Sequence, residues 1–167
     1  IEPRFVVQKA LNMLRSTFPT SVIIVEDIQR DCGTILANST NLHQVVLNLC
    51  ANARYAMEED KGVLRVELKR VERNVNQLPP DKDIKPGCFV ELLVTDNGCG
   101  MTSYDVERIF EPYYTTREVG AGSGLGLSVT HGIIEDCNGF VEVESEVGQG
   151  TTFAVYIPCH DPIGHAE

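Results

Sequence analysis

The chain has 167 residues, of which 43% are hydrophobic and 23% are charged, as in a globular domain with a full hydrophobic core. Its net charge of −10 argues against a nucleic-acid-binding protein. No apolar run is as long as a membrane span, so we expect no membrane contact by this domain.

The six cysteines are spread along the chain, and none forms a C-x-x-C pair or a cluster with histidine. This spacing argues against a zinc site. Scattered thiols are typical of a reduced, cytoplasmic protein, and we expect that location for the domain. Since the first residue is Ile, we expect a longer parent protein, either free or anchored in a membrane.

The beginning of the chain predicts a helix followed by two strands. Residues 2–18 have apolar side chains at helical spacing, and Pro19 ends this segment. Residues 21–28 are rich in β-branched side chains, as in a strand. A turn at residues 31–33 then indicates a hairpin to a short second strand at residues 33–37.

A second helix is predicted at residues 41–57, with Thr40 as its N-cap. Asn48 and Asn52 lie one turn apart at the edge of its apolar face, although Asn is a poor helix former. Buried amides need partners, and an Asn oxygen can bind Mg²⁺. The helix alone leaves two interpretations open: the amides bind a cation or polar ligand, or they bond to neighbouring backbone or face solvent.

The rest of the chain predicts mainly antiparallel strands and two further helices. The helices are predicted at residues 103–110 and 124–137, and the strands at residues 63–71, 89–95, 140–145 and 151–157. The polar, proline-containing residues 72–87 indicate a surface loop. Three main helices and about six strands predict an α+β two-layer sandwich, in which helices cover one face of a mixed, mostly antiparallel sheet.

A glycine-containing segment follows one of the predicted strands directly. Asp96 ends that strand, and Gly98 and Gly100 come after it. Glycine allows a backbone to approach a ligand closely, and a carboxylate can accept a hydrogen bond from the amino group of adenine. The alternative is a simple turn, which the segment alone favours.

A second glycine-rich segment, residues 122–127, opens a predicted helix. Free N–H groups and the positive end of the helix dipole suit a phosphate group there. The segment lacks the Lys-Ser/Thr of a P-loop and follows a loop rather than a strand, which excludes P-loop and Rossmann binding. A hinge without a ligand is the alternative.

Residues 110–117 carry three aromatic side chains before this glycine-rich segment. They are suited to anchor a lid, or they are core residues at the base of a loop, which we favour for Phe110. Arg117 is placed to reach a phosphate, although an exposed Arg is more often solvated.

Five motifs together resemble one family, and in chain order they are NLHQVVLNLCANARYAM, DNGCGM, IFEPYYTTR, GSGLGLS and GQGTTF. This combination resembles the catalytic, ATP-binding domain of sensor histidine kinases, within the wider group of gyrase, heat-shock chaperone and mismatch-repair ATPases. The resemblance implies the Bergerat fold, with a domain at residues 1–158 and a tail at residues 159–167.

The resemblance also implies roles for individual residues. Asn52 is the implied Mg²⁺ ligand, Asn48 the second catalytic asparagine, and Asp96 the acid that reads adenine, helped by Thr151 and a water molecule. Many histidine kinases have Lys where this chain has Tyr55, and Tyr55 is among the implied nucleotide contacts. Arg54 is expected to take over a catalytic contact to phosphate, although helical phase places it off the face that carries the asparagines. The remaining implied nucleotide contacts are Gly98, Gly100, Met101, Ile109, Thr116, Arg117, Gly122, Ser123, Gly124, Leu125 and Gly126.

One departure from related hydrolases bears on the reaction. Those enzymes typically have Glu where this chain has Asn48, and Asn cannot act as a general base. The resemblance therefore implies slow ATP hydrolysis and favours transfer of the γ-phosphoryl group to another nucleophile.

The acceptor histidine implied by the resemblance is missing from this chain, because none of the four histidines lies in its motif. We expect the acceptor in a separate dimerisation domain, and a response-regulator receiver domain as the next partner. The alternatives are a free-standing ATPase of the same fold, which Asn48 argues against, and a non-catalytic interaction module that binds nucleotide or nothing.

Overall fold

The computed structural model describes residues 1–57, 59, 61–114 and 125–161. Within these residues there are four α-helices, five strands and one 3₁₀ turn. In chain order they are α1 (Pro3–Thr17), β1 (Val22–Ile28), α2 (Ser39–Ala56), β2 (Gly62–Arg73), the 3₁₀ turn (Val75–Gln77), β3 (Gly87–Asp96), α3 (Ser103–Arg108), α4 (Gly126–Asp136), β4 (Phe140–Glu146) and β5 (Gly150–Pro158).

The strands form one sheet in the order β1-β2-β3-β5-β4 across the described residues. β1 pairs with β2 in parallel, because α2 connects them as a crossover. The other three pairs are antiparallel. The predicted α+β architecture with a mixed, mostly antiparallel sheet is therefore confirmed.

The main hydrophobic core lies between the helices and one face of this sheet. Leu11 of α1, Val46 and Leu49 of α2, and Leu64 and Val66 of β2 have no solvent exposure at all. Burying a side chain of this size contributes about 1.5–3 kcal/mol to folding. The apolar spacing of α2 therefore fixes which of its faces carries Asn48 and Asn52.

A second, smaller cluster covers part of the opposite face of the sheet. Phe140 stacks on Tyr156 with ring centroids 4.7 Å apart and meets the edge of Phe89 at 5.8 Å. Leu78, only 9% exposed, joins them from the loop between β2 and β3. The prediction of a plain surface loop at residues 72–87 is wrong at Leu78, because this side chain anchors the loop.

The short strand predicted at residues 33–37 is also wrong. Ile35 makes only an isolated bridge, to Cys159, and no hairpin forms because the chain crosses from β1 into α2 instead of turning back. The predicted N-cap of α2 needs correction as well. The cap is Asn38, whose Oδ1 accepts from the backbone N–H groups of Thr40 at 2.8 Å and Asn41 at 3.3 Å.

The prediction that all thiols are reduced is wrong for one pair. Cys88 and Cys159 form a disulfide although 71 residues separate them, whereas the other four cysteines are free thiols. Residues 159–161, predicted as the start of a tail, make backbone hydrogen bonds to Cys88 and Thr34. No helix among the described residues is long and apolar enough to cross a membrane.

Gly100 has a backbone conformation and surroundings that are unfavourable for any other residue. Its φ is +70°, and a Cβ atom there would overlap the carbonyl group of Glu146. Gly148 offers a matched control, since it has a φ of +83° but open space around the position of a Cβ.

We predict that Gly100→Ala lowers the free energy of unfolding by about 3 kcal/mol or more, because backbone strain and steric overlap add. Gly148→Ala should cost about 1–2 kcal/mol, from the left-handed conformation alone. Urea denaturation of both variants measures the difference. Equal losses in the two variants would show that the contact with Glu146 relaxes without cost.

Candidate functional site

The candidate site lies at the end of the sheet where β3 finishes and β5 begins. Asp96 is the last residue of β3, is 4% exposed, and pairs with Thr151 across the ladder. Its carboxylate accepts hydrogen bonds from the backbone N–H groups of Gly98, at 2.8 Å, and of Thr151. The carboxylate is therefore held in one position by the backbone of two segments.

Burial raises the pKa of the Asp96 carboxyl above its ordinary value, because desolvation outweighs the two backbone N–H groups that lower it. A carboxyl group in a poorly solvated pocket binds a hydrogen-bond donor more strongly than one in water. This environment gives Asp96 the chemistry of a recognition group rather than that of a solvated surface acid.

Ser145 ties the strands around Asp96 together and was not found from the sequence. Its Oγ lies 2.7 Å from Thr151 Oγ1, accepts from the Met101 N–H at 2.8 Å and donates to the Gly150 carbonyl at 3.1 Å. Ser145 has no sequence signal, since a serine near the end of a strand is common. It places Met101 beside Thr151, as the predicted site requires.

The glycines after Asp96 serve the packing of the protein itself. A Cβ atom on Gly98 would overlap the carbonyl group of Ala56 at the end of α2. Cys99 donates its N–H to this same carbonyl at 2.9 Å. Asn97 accepts from the Val63 N–H at 2.9 Å, a contact that the sequence did not reveal. The loop is thereby fastened between α2 and β2, whereas the sequence analysis explained its glycines by the approach of a ligand.

Asn48 connects α2 to the beginning of α4. Its Nδ2 donates to the Gly126 carbonyl at 3.0 Å and to Thr130 Oγ1 at 3.2 Å, while its Oδ1 accepts from Gln44 Nε2 at 2.7 Å. Thr130 has no solvent exposure. Of the two interpretations left open for the asparagines, bonding within the protein describes Asn48.

Asn52 differs from Asn48 in this respect. It lies one turn further along α2 and is half-buried, and its side chain has no hydrogen-bond partner in the part of the chain that the structure describes. Its amide oxygen is a hard donor of the type that Mg²⁺ prefers. The chemistry of this position therefore fits a Mg²⁺ ligand.

The first turn of α4 has the features of a site for an anionic group. Leu125 stands at its N-cap, and its side chain makes no capping hydrogen bond to the N–H groups of the first turn. Such N–H groups and the helix dipole favour negative charge. Five predicted nucleotide contacts just before this helix lie outside the described residues, namely Thr116, Arg117, Gly122, Ser123 and Gly124.

The aromatic segment before those residues is partly core, as we favoured for Phe110. Phe110 lies 5.1 Å from the ring of His131 and 6.4 Å from that of Phe153. Ile109, predicted to contact adenine, is only 4% exposed and belongs to the main core. Tyr114 donates its hydroxyl to Asp105 Oδ1 at 2.6 Å, which fastens the end of this segment to α3.

Arg54 and Tyr55 lie on different sides of α2, since Tyr55 is three residues after Asn52 and shares its face, whereas Arg54 does not. The guanidinium carbon of Arg54 lies 5.3 Å from the ring centroid of Phe18, at the end of α1. Tyr55 is 47% exposed. The helical phase of α2 thus turns Arg54 away from Asn52, and this direction disfavours the phosphate contact predicted for Arg54.

Comparisons with known proteins agree with this geometry. Residues 37–161 match the family described as histidine kinase-, DNA gyrase B- and HSP90-like ATPases. The sensor kinase CckA of Brucella abortus is 39% identical over 132 residues, which are 79% of this chain and 14% of that protein. The two-component sensor PprA of Pseudomonas aeruginosa is 38% identical over 130 residues, 77% of this chain and 13% of that protein.

The chain therefore spans about one seventh of the length of these relatives. Among solved structures, the nucleotide-free catalytic domain of histidine kinase ThkA superposes with a TM-score of 0.74 at 22% identity. The superposition covers 95% of this chain and 93% of that one. At this identity the likeness establishes the fold.

We predict that Asn48→Asp lowers the free energy of unfolding by about 1–3 kcal/mol, because a carboxylate has no hydrogen to donate to the Gly126 carbonyl and would place a negative charge against that oxygen. Gln44→Ala removes only the exposed contact to Asn48 and should stay within about 0.5 kcal/mol. Urea denaturation compares the two. An unchanged Asn48→Asp variant would contradict the connecting role of Asn48 between α2 and α4.

Proposed function

Because the chain belongs to the family of histidine kinase-, DNA gyrase B- and HSP90-like ATPases, we propose that it is the ATP-binding catalytic domain of a sensor histidine kinase. In this proposal the γ-phosphoryl group of ATP goes to a histidine of a separate dimerisation domain. From there it passes to an aspartate of a response-regulator receiver domain. The parent kinase works where ATP is found, in the cytoplasm, with or without a membrane anchor.

The proposal rests mainly on the buried carboxylate of Asp96. Its buried carboxylate is fixed by the N–H groups of Gly98 and Thr151 and still has lone pairs to accept from the amino group of adenine. Thr151 lies beside it, and the backbone of Met101 is fastened close to Thr151 through Ser145. An acid that is desolvated and held rigidly discriminates well between donors and acceptors.

Asn52 is the residue that we propose for Mg²⁺, and α4 is the element that we propose for the phosphates. Mg²⁺ supplies charge neutralisation at the phosphate groups and orients them. The half-buried Asn52 amide offers one oxygen ligand. The uncapped N–H groups at the start of α4 offer donors to phosphate oxygens on the neighbouring element. The protein thereby orients the substrate rather than entering covalent chemistry.

Asn48 supports transfer over hydrolysis. Its Nδ2 donates to Gly126 and Thr130, and its Oδ1 accepts from Gln44. An amide held in this way has no capacity to remove a proton from water. Rapid ATP hydrolysis by the isolated domain would therefore favour a free-standing ATPase over the proposed kinase.

The histidines of the described residues support an acceptor on another domain. His43 is a half-buried residue of α2, and His131 contacts Phe110 and lies 3.5 Å from Glu135. His160 belongs to the last described segment, at the opposite end of β5 from Thr151. His131 and His160 are thus engaged with residues other than Asp96 and Asn52, which supports our placing the accepting histidine on a partner.

We predict that Asn52→Ala weakens ATP binding at least tenfold in the presence of Mg²⁺ and much less in its absence, because only the metal-dependent contact is lost. Isothermal titration calorimetry with and without Mg²⁺ measures both constants. Gln44→Ala, on an exposed position of the same helix, serves as the matched control. An equal loss of ATP affinity with and without Mg²⁺ would contradict the assignment of Asn52 as the metal ligand.

We predict that Asp96→Asn weakens ATP binding at least tenfold, about 1.4 kcal/mol, because the amide replaces a charged acceptor. In the wild type, binding should also weaken as the pH falls, since protonation turns the carboxylate into a donor. This loss should begin at a higher pH than for an ordinary aspartate, because burial raises the pKa of Asp96. Titrations with Mg²⁺-free adenosine at several pH values test this, and Asp96→Asn should lack the carboxyl-dependent part of the profile.

A further inference from the structure

Three chain segments meet around Ile35, at the end of the sheet opposite to Asp96. The backbone of Ile1 exchanges two hydrogen bonds with Ile35, at 2.8 and 2.9 Å. On its other side Ile35 forms an antiparallel bridge with Cys159. Cys159 in turn donates its N–H to the Cys88 carbonyl at 3.0 Å. Ile35, in the loop before α2, therefore holds both Ile1 and Cys159.

Residues 159–161 are attached by few contacts besides the disulfide. His160 exchanges hydrogen bonds with Thr34, with its N–H 2.8 Å from the Thr34 carbonyl. Asp161 accepts two hydrogen bonds from Arg70, at 2.8 and 3.4 Å, but the two side chains are 54% and 39% exposed. Exposed ion pairs and isolated backbone bonds contribute little against the conformational entropy of ordering such a segment. The covalent link to Cys88 is therefore the strongest restraint on this segment.

The disulfide is also accessible to a reductant. Cys88 and Cys159 are both half-buried, whereas Cys50 has no solvent exposure at all. A thiolate must reach one sulfur in line with the S–S bond. Exposed disulfides are the labile ones in thiol exchange.

We propose that Cys88 and Cys159 form a reversible redox clamp, which fixes residues 159–161 to β3 and to the loop before α2 when oxidised and releases them when reduced. The reductant is a dithiol. One sulfur of the dithiol attacks one cysteine sulfur and releases the other cysteine as a thiolate. The second sulfur of the dithiol then attacks the first and releases the remaining cysteine from the mixed disulfide. The protein S–S bond breaks, the dithiol closes its own S–S bond, and two protons pass to the cysteines.

Release should stay local, because the remaining restraints of the fold lie elsewhere. Of residues 159–161, only Cys159 touches the main core between the helices and the sheet, and it packs at the border of that core as a partly buried side chain. The clamp and the nucleotide site lie at opposite ends of β3, since Cys88 and Asp96 are eight residues apart, about 26 Å along a strand. The inference does not rest on the proposed function, and ATP binding serves as an independent measure of the intact site.

The experiment compares amide hydrogen exchange in the air-oxidised domain and after treatment with dithiothreitol. Blocking of free thiols followed by mass spectrometry should first recover Cys88 and Cys159 in one disulfide-linked peptide. On reduction, exchange of the amides of Cys159 and His160 should rise at least tenfold, because their N–H groups bond to Cys88 and Thr34. Exchange within α2 and the affinity for ATP should change less than threefold.

Variants separate the clamp from a general effect of reductant. Cys88→Ser should show the fast exchange of these amides without any reductant. Cys137→Ser, which removes a free thiol at the end of α4, should behave like the wild type in both states. Free Cys88 and Cys159 in the oxidised protein would overturn the proposal. Unchanged exchange on reduction, or a loss of protection throughout the domain, would overturn it equally.

Discussion

The ladder between β3 and β5 is the constraint on which the candidate site depends. It places Asp96 opposite Thr151, so a carboxylate is buried at a point where two backbone N–H groups already face it. Burial without those donors would be costly, and the donors without burial would leave a solvated acid. The sheet register therefore creates the recognition group, and the neighbouring loop, strand and helix are fastened to it.

The second constraint is the contact between α2 and α4 through Asn48. This side chain uses its donor hydrogens on α4 and its acceptor oxygen on Gln44. A glutamate in the same place would have no hydrogen to donate to the Gly126 carbonyl. Asn48, which cannot act as a general base, thus also sets the position of the helix proposed for the phosphates.

Sequence patterns predicted the parts of the fold that periodicity controls. The apolar stripe of α2 and the strand ending at Asp96 were placed within a few residues of their observed bounds. The prediction of a strand at residues 33–37 was wrong. The composition of this segment fits a strand, but the segment makes only an isolated bridge at Ile35 and pairs with no strand of the sheet. The N-cap was misplaced because Asn38 and Thr40 are both suitable caps, and only the path of the chain decides between them.

Other features depend on contacts between distant residues and leave no local signal. Ser145 joins segments more than 40 residues apart, and the partners Cys88 and Cys159 are separated by 71. The glycines after Asp96 were recognised as special, but their observed reason is the carbonyl groups of Ala56 and Glu146. Spacing shows that a side chain is excluded at such a position, whereas only the tertiary structure shows which group excludes it.

The two ends of the sheet carry different chemistry, and the strands explain why they can do so independently. At one end, β3 and β5 hold a desolvated acid between backbone donors. At the other end the same two strands lead to a disulfide and to a segment with few other restraints. The hydrogen-bonded ladder between them is stiff and fully buried on the core face, so opening the outer segment does not require the ladder to shift. Reduction of the Cys88–Cys159 disulfide can therefore alter residues 159–161 locally while the pocket around Asp96 keeps its geometry.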